Sequence, residues 1–452
     1  MSRIFVDLSK ESGGMGDNIT LIPTMRALKR KYPDKDLVVI TKFHNIKIFS
    51  YCDYVDYIIP VDLFEEHWRI GANFIHEDMV FSLNTYFITH HNDHIVKTRI
   101  KEIAKINPEN EPLEFELSIK DYDIPIIEEH KKQLLKLANG KPIVGINPGV
   151  TAYARMYPQA HWQKLANILR DNGYFVVSLG HDSDLHIDVD FDSMGKYAAH
   201  QIPKILDVFE AIFVISSGIL QLASINQDIH IVLINAGQFP AKIFAPYRHG
   251  KLGYNITIIG HNCPVFDKCF KEHIAGHNAH IKQCQDFIEQ WEKCAGREFP
   301  VEEVEIPSTY TSWVYCGKEN NKFVCSNLDP ELIFQAFKNK NSTTISVPSH
   351  GLSVFHGNTK NVVEDYSKWK DTIKSLKTES VIYVNIIDAD TSNICEKMRC
   401  VNVLYPNHTL VVIGKKKDVL ILKNCRYVHC VLPVELISKS LKLRYKDILL
   451  KI

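Results

Sequence analysis

The alternation of apolar strand and amphipathic helix begins twice in this 452-residue chain, once at residue 4 and again near residue 141. In the first run, Ile4-Phe5-Val6-Asp7-Leu8 reads as a short buried strand, followed by the glycine-rich turn Ser12-Gly13-Gly14-Met15-Gly16-Asp17. Ile19, Ile22, Met25, Ala27 and Leu28 then give one helical stripe, ended near Tyr32-Pro33-Asp34. Leu37–Thr41 and Val55–Pro60 are two further strands. Continuous apolar strands alternating with amphipathic helices predict a parallel sheet covered on both faces. In the second run, Pro142–Asn147 is a strand, Pro148–Thr151 a turn, and the helix Trp162–Asn172 stops at Gly173, a C′ glycine. Phe175–Gly180, Ala211–Ile215 and Ile229–Ile234 are the next strands. The expected fold class is α/β: two doubly wound units facing a cleft, with ligand at the carboxyl ends of their strands.

The remaining length accommodates a third, smaller unit. Asp329 and Pro330 fit the N-cap and N1 positions of a helix, and the polar run Lys338–Thr344 reads as a linker. Beyond it lie a helix near 361–377, strands at Val381–Ile387, Leu410–Ile413 and Val419–Leu422, and a last helix from Pro433. The predicted division is 1–140, 141–338 with a cysteine-rich extension at 261–325, and an appended α/β unit at 345–452.

Composition narrows the class of protein. The 45% hydrophobic and 23% charged content is that of a soluble globular chain. No apolar run approaches the roughly 18 residues of a membrane span, and Asp7 interrupts the only apolar stretch at the start, so no transmembrane segment and no signal peptide are expected. The 53 basic residues balance 53 acidic ones, which removes a whole-chain argument for a polyanionic partner. That balance is an average: residues 401–452 hold ten Lys+Arg against three acids, and 261–310 hold nine acids against five bases. A solvated face is the usual meaning of such runs, and an anionic partner for the basic tail stays open. Eleven cysteines, an odd number without a secretion signal, point to the reducing cytoplasm.

Three turns could carry chemistry. Gly14-Met15-Gly16-Asp17-Asn18 joins a strand to a helix start, where glycines admit a close ligand and free amides offer positive potential. Asp17 either caps that helix or presents a carboxylate able to take a proton from an attacking hydroxyl. Asn147-Pro148-Gly149-Val150-Thr151 followed by Arg155 supplies a hydroxyl and a fixed cation suited to a pyrophosphate, or an exposed loop arginine. Ser216, Ser217 and Gly218 again pass from strand to helix, as an anion cradle or a serine cap.

The segment Gly16–Pro33, with its Gly-Asp, Pro23, Arg26-Ala27-Leu28 and Tyr32-Pro33, resembles the opening motif of glycosyltransferase family 9, the heptosyltransferases. Ile146–Gly149 with Met156–Trp162 resembles that family's second-domain strand and its Trp-Pro-x-x-His segment, and Val214–Gly218 resembles its Ile-Ser-x-Asp-[Thr/Ser]-Gly turn. The resemblance spans about residues 3–260, thins to Asp329–Phe337 and stops at the linker. It implies a GT-B fold of two Rossmann-like domains, an acceptor domain at 1–140 and a nucleotide-sugar domain at 141–338. It also implies inverting transfer of a heptose-like sugar from an ADP-heptose-like donor to an acceptor hydroxyl, without a catalytic metal. On this resemblance Asp17 is the general base. Gly14, Gly16, Thr151, Arg155, Ser216, Ser217 and Gly218 bind the donor. The acceptor is a glycan, a protein or a nucleic acid. Departures are visible: the family's Asp-Thr-Gly-x-x-His is Ser216-Ser217-Gly218-Ile219-Leu220-Gln221 here, and its later Gly-Pro is Asn235-Ala236-Gly237. A nucleotide-sugar-binding module without transfer is the alternative they raise.

Six of the eleven cysteines lie between residues 261 and 325. Cys263, Cys269, Cys316 and Cys325 flank an insertion with Cys284, Cys294, His273, His277 and His280, and four thiolates would suit structural Fe or Zn. Many family 9 relatives carry four cysteines before their last helix, the iron-binding autotransporter heptosyltransferases among them. Free buried cysteines are the other reading. Asp388-Ala389-Asp390 is a short chance-level motif, His90-His91-x-x-His94 reads as a polar loop on the acceptor side rather than a metal site, and Trp162 and Trp369 as core or groove residues.

Overall fold

The computed structural model describes residues 2–8, 14–42, 45–61, 78–82, 93–149, 157–182, 184–235, 241–262, 328–340, 343–346, 381–386, 394–404, 409–436 and 449–451. Within them the chain is mixed α/β, with three parallel sheets and one two-stranded antiparallel hairpin.

The first sheet contains β1 (Arg3–Asp7), β2 (Asp36–Thr41), β3 (Tyr57–Pro60) and β4 (Met79–Ser82) in the order β3-β2-β1-β4. Ile4, Phe5 and Val6 of β1 are wholly buried, as a strand covered on both faces requires. The chain moves one way from β1 to β3, then returns to the other side of β1, so a switch point lies between β1 and β4. The turn that leaves β1 therefore opens into a crevice. The single stripe expected from Ile19 to Leu28 is two helices, α1 (Met15–Ile19) and α2 (Ile22–Lys31). Pro23 lacks the amide that would continue the i→i−4 ladder. The chain breaks at Thr20-Leu21, where the Thr20 hydroxyl donates to the Asp17 carbonyl at 2.7 Å. α3 (Ile46–Ser50), α4 (Ile95–Arg99), a π-helical turn (Ile100–Ala104) and α5 (Ile124–Ala138) complete this part.

In the second unit, β5 (Ile143–Asn147), α6 (Gln159–Asp171), β6 (Phe175–Ser178), β7 (Phe191–Asp192), α7 (Ile202–Ile205), β8 (Ala211–Ile215), α8 (Gly218–Ile225) and β9 (His230–Asn235) follow in turn. α9 (Ala241–Phe244), the hairpin β10 (Tyr247–Arg248) and β11 (Lys251–Leu252), β12 (Ile256–Asn262), α10 (Pro330–Asn339) and β13 (Thr343–Ser346) close it. The sheet order β13-β12-β9-β8-β5-β6-β7 puts the switch point between β5 and β8. The Asn147–Gly149 and Ser216–Gly218 turns leave those two strands. Trp162 is buried in α6, and Trp369 lies outside the described residues. The Asp329 side chain caps α10 by accepting from the Glu331 amide at 3.1 Å, with Pro330 following it. The expected linker is in part a strand: Thr343 pairs with Ile259, in parallel with β12. Its polar, β-branched Thr-Thr-Ile sequence suits the edge position it takes.

β14 (Val381–Asn385), α11 (Ile394–Leu404), β15 (Thr409–Gly414), α12 (Lys416–Val419), β16 (Cys430–Pro433) and β17 (Leu449–Lys451) form the third sheet, ordered β16-β15-β14-β17. The strand expected at Val419–Leu422 is helical, divided between α12 and a 3-10 turn at Leu420–Asn424. Burial explains it: Val419 and Leu422 are both at 0% exposure while Ile421 between them is at 59%, a spacing of three rather than two. From Pro433 the chain makes only a 3-10 turn, Val434–Leu436, within the described residues, and the 361–377 helix lies outside them. Ile382, Val384, Leu410 and Val412 face α11 in a separate core. Their alternates Tyr383, Val411 and Ile413 join the core of the first unit. The Cys430 thiol donates to the Ile58 carbonyl at 3.4 Å, and Lys416 Nζ pairs with Asp36 Oδ2 at 2.8 Å.

Candidate functional site

α1 begins without a side-chain cap. Gly14 is its N-cap residue in extended conformation, and Asp17 lies inside the first turn, where its amide donates to the Gly14 carbonyl at 3.0 Å. Of the two readings of Asp17, the cap is thus taken by Gly14, and the Asp17 side chain is left about one-third exposed (32%).

The turn is braced from two sides. Asn18, wholly buried, donates from Nδ2 to the Gly14 carbonyl at 3.0 Å and to Asn45 Oδ1 at 2.9 Å, and Asn45 Nδ2 donates to Thr41 Oγ1 at 3.1 Å. On the other side stands Arg99, the last residue of α4 and 3% exposed. Its Nη1 donates to both the Asp17 carbonyl and Thr20 Oγ1, and its Nη2 lies 3.8 Å from Asp17 Oδ1.

Against this turn, α8 starts at the Ser216–Gly218 turn. Ser217 is its N-cap residue, yet its hydroxyl makes no cap bond; it donates instead to Asn147 Oδ1 at 2.9 Å. Asn147, 1% exposed, in turn donates to the Leu179 carbonyl at 2.8 Å. One buried amide thus ties the turns after β5, β6 and β8 together. Asp184 fills the space beside Gly149 and Gly180, where any added side-chain carbon would collide with its carboxylate. It accepts from the His181 amide at 2.8 Å, and burial pushes its carboxyl above the usual range.

These two turns touch. A Cβ on Gly16 would lie 3.1 Å from Gly218 Cα, and one on Gly218 would lie 3.3 Å from the Gly16 nitrogen. Glycine at both positions lets α1 and α8 approach backbone to backbone. Gln221, standing where the family motif has histidine, is 6% exposed, and its Cγ would lie 3.5 Å from the same Cβ on Gly16. Its Oε1 is buried with no hydrogen-bond partner among the described residues.

The units meet at further points, two of them through histidines. His94 caps α4: its Nδ1 accepts from the Val96 amide at 3.3 Å, which leaves Nε2–H to donate to the Ala245 carbonyl at 2.8 Å. Burial pushes its pKa down to about 4. His200 Nε2 contacts Asp123 Oδ1 at 2.9 Å and stacks on Tyr51 with ring centroids 3.6 Å apart.

The expected site residues Asp17, Gly14, Gly16, Ser216, Ser217 and Gly218 therefore converge at one interface between the first two sheets. Thr151 and Arg155 lie outside the described residues, as do Cys263, Cys269, Cys316 and Cys325, His90, His91, Asp388 and Asp390. His94 is an interdomain strut. Among the described residues no group of three or more metal-ligating side chains occurs, and no helix is long and apolar enough to cross a membrane. Sequence reading missed Arg99 and Asp184 and registered Gln221 only in passing. Of these, only Gln221 left a signal, as a departure from a motif.

Two α/β units with parallel sheets thus meet at the carboxyl ends of β1, β5 and β8. Residues 73–190 match the family model "Glycosyltransferase family 9 (heptosyltransferase)", which bears out the resemblance carried by the motifs. That match includes Arg99, Asn147 and Asp184 and lies between the segments with Asp17 and Ser216–Gly218. No curated protein matches the chain by sequence. Among solved structures it is similar to ADP-heptose lipopolysaccharide heptosyltransferase II of E. coli (16% identity, 57% of this chain and 90% of that one, TM-score 0.41). It is similar also to a glycosyl transferase family 9 protein of Veillonella parvula (16% identity, 60% and 91%, TM-score 0.44). A third is the iron-containing dodecameric glycosyltransferase TibC of enterotoxigenic E. coli (15% identity, 55% and 61%, TM-score 0.40).

Proposed function

We propose that this chain is a glycosyltransferase that moves a sugar from a nucleoside-diphosphate sugar to an acceptor hydroxyl with inversion. The observation that carries this reading is the partly exposed Asp17 carboxylate on a doubly braced turn, set where the first unit touches the Ser216–Gly218 turn of the second. The family match over residues 73–190 supports it. TibC has been solved with ADP-D-beta-D-heptose, which makes an ADP-heptose-like donor the first to try.

In this mechanism Thr151, Arg155 and the Ser216–Gly218 turn hold the donor diphosphate. The acceptor hydroxyl attacks the anomeric carbon from the face opposite the diphosphate while Asp17 takes its proton. The bond to the diphosphate oxygen breaks as the new glycosidic bond forms, so configuration at that carbon inverts. Approach of the two units excludes water and limits donor hydrolysis. No step requires the four-cysteine set.

The test is Asp17→Ala. Transfer should fall by on the order of 10²–10⁴-fold, the usual worth of a general base, with donor affinity unchanged. Wild-type turnover in that variant would overturn the mechanism. Gln221 in place of the motif histidine favours a second reading, binding of a nucleotide sugar without transfer. Incubation with a panel of nucleotide sugars and cell-extract fractions separates the two, because only transfer releases the nucleoside diphosphate.

A further inference from the structure

Arg99 stands beside the Asp17 turn, and the fold keeps it almost out of water at 3% exposure. Burying a guanidinium costs several kcal/mol unless its donors are met, and an apolar side chain of similar size would usually serve packing better. Its partners show what that cost serves. Nη1 donates to the Asp17 carbonyl and to Thr20 Oγ1, Thr20 Oγ1 donates to the same carbonyl at 2.7 Å, and Nη2 lies 3.8 Å from the Asp17 carboxylate. Guanidinium, hydroxyl and carbonyl close a ring around the end of α1. The residue sits at the point where α4 passes into the π-helical turn Ile100–Ala104. Such turns shift the facing of side chains and are frequent at functional sites. On the far side the Asn18–Asn45–Thr41 chain holds the same turn without charge.

We propose that Arg99 is the positioning residue for Asp17: its fork fixes the α1 turn and holds the carboxylate at one place in the cleft. This rests on Asp17 being the base of the proposed transfer. The planar fork reaches two separate groups at once: Nη1 hydrogen-bonds the main-chain carbonyl and the hydroxyl, while Nη2 faces the carboxylate at 3.8 Å as a charge contact rather than a hydrogen bond. A lysine ammonium keeps the charge and loses that geometry.

The experiment measures ADP release from ADP-heptose in the presence of the cell-extract fraction that supports it for the wild type. It compares Arg99→Lys, Arg99→Met, Thr20→Val and Asp17→Ala, alone and combined, with thermal unfolding as the check on folding. Arg99→Lys should lower kcat by about 10–100-fold with donor KM within about twofold, since only alignment at the reacting centre is lost. Thr20→Val, which removes the shared hydroxyl at constant volume, should lower kcat by roughly 3–10-fold. Neither should lower the residual rate of Asp17→Ala further, because groups that act through one another are not additive. If Arg99→Met does not fold, Arg99→Lys and Thr20→Val decide. Full kcat in both, or losses that multiply with that of Asp17→Ala, would overturn the proposal. Wild-type kcat in Asp17→Ala would instead overturn the base itself. An inactive Asp17→Ala beside a fully active Arg99→Lys removes Arg99 alone.

Discussion

The two turns that meet at Gly16 and Gly218 are held by different means. The Asp17 turn is clamped by a buried cation on one side and an amide chain on the other, and it presents a carboxylate. The Ser216–Gly218 turn is held by one neutral relay, from the Ser217 hydroxyl through Asn147 to the Leu179 carbonyl, and it offers hydroxyls and backbone amides. On the proposed mechanism the first must accept a proton from a mobile acceptor and so needs to stay put, while the second would hold a diphosphate. A cradle for a diphosphate can draw its order from the anion that fills it.

This contrast can be broken at several points. The largest difference should separate Asp17→Ala from Ser217→Ala: the first lowers transfer by on the order of 10²–10⁴-fold, the second shifts donor KM by only a few-fold, read in the same ADP-release assay. Next is Asn147→Ala, which leaves the Leu179 carbonyl and the Ser217 hydroxyl without their shared partner. It should cost about 2–3 kcal/mol, lower the thermal midpoint by several degrees and weaken donor binding more than turnover.

Acid should loosen the seam through His94. Folding holds this imidazole neutral with its pKa down to about 4, against an ordinary 6.5, so the unfolded chain takes up the proton first. Its stabilising effect is complete above the unfolded value and is lost as pH falls from about 6.5 through about 4, by about 3 kcal/mol. His230 and His429, also lowered to about 4 by burial, add to the same slope. His94→Gln should flatten part of it in unfolding curves recorded across that range. A mild effect is expected of Gly16→Ala. The added carbon meets Gly218 backbone at 3.1 Å and must push the turns apart by a few tenths of an ångström, for a loss of turnover of roughly tenfold or less.

Much of this architecture is legible in the sequence because a covered parallel strand has to be continuously apolar: β1, β2 and β8 stand where Ile4–Leu8, Leu37–Thr41 and Ala211–Ile215 place them. The break between α1 and α2 is hidden, since Ile19 and Ile22 continue a helical spacing across it and only Pro23 marks it. Val419–Leu422 misled because a short apolar run has no period of its own; burial by tertiary contact chose the helix. At the site, Gly16, Asp17 and Gly218 could be named from local motifs, whereas their mutual contact spans two hundred positions and leaves no mark in spacing. Arg99 was invisible for the same reason: its partners stand about eighty residues away, and one arginine on a helix reads as a surface charge.

The third sheet bears on how the chain can be divided. Tyr383, Val411 and Ile413 lie against the first unit, with Cys430 and Lys416 tied to Ile58 and Asp36. A cut near residue 345 would strip an apolar wall from the half of the molecule that carries Asp17, and water would reach a surface built to stay dry. The two halves around the cleft and the C-terminal sheet are in that sense one load-sharing body, so damage at either end of the chain should register as lost cohesion at the other.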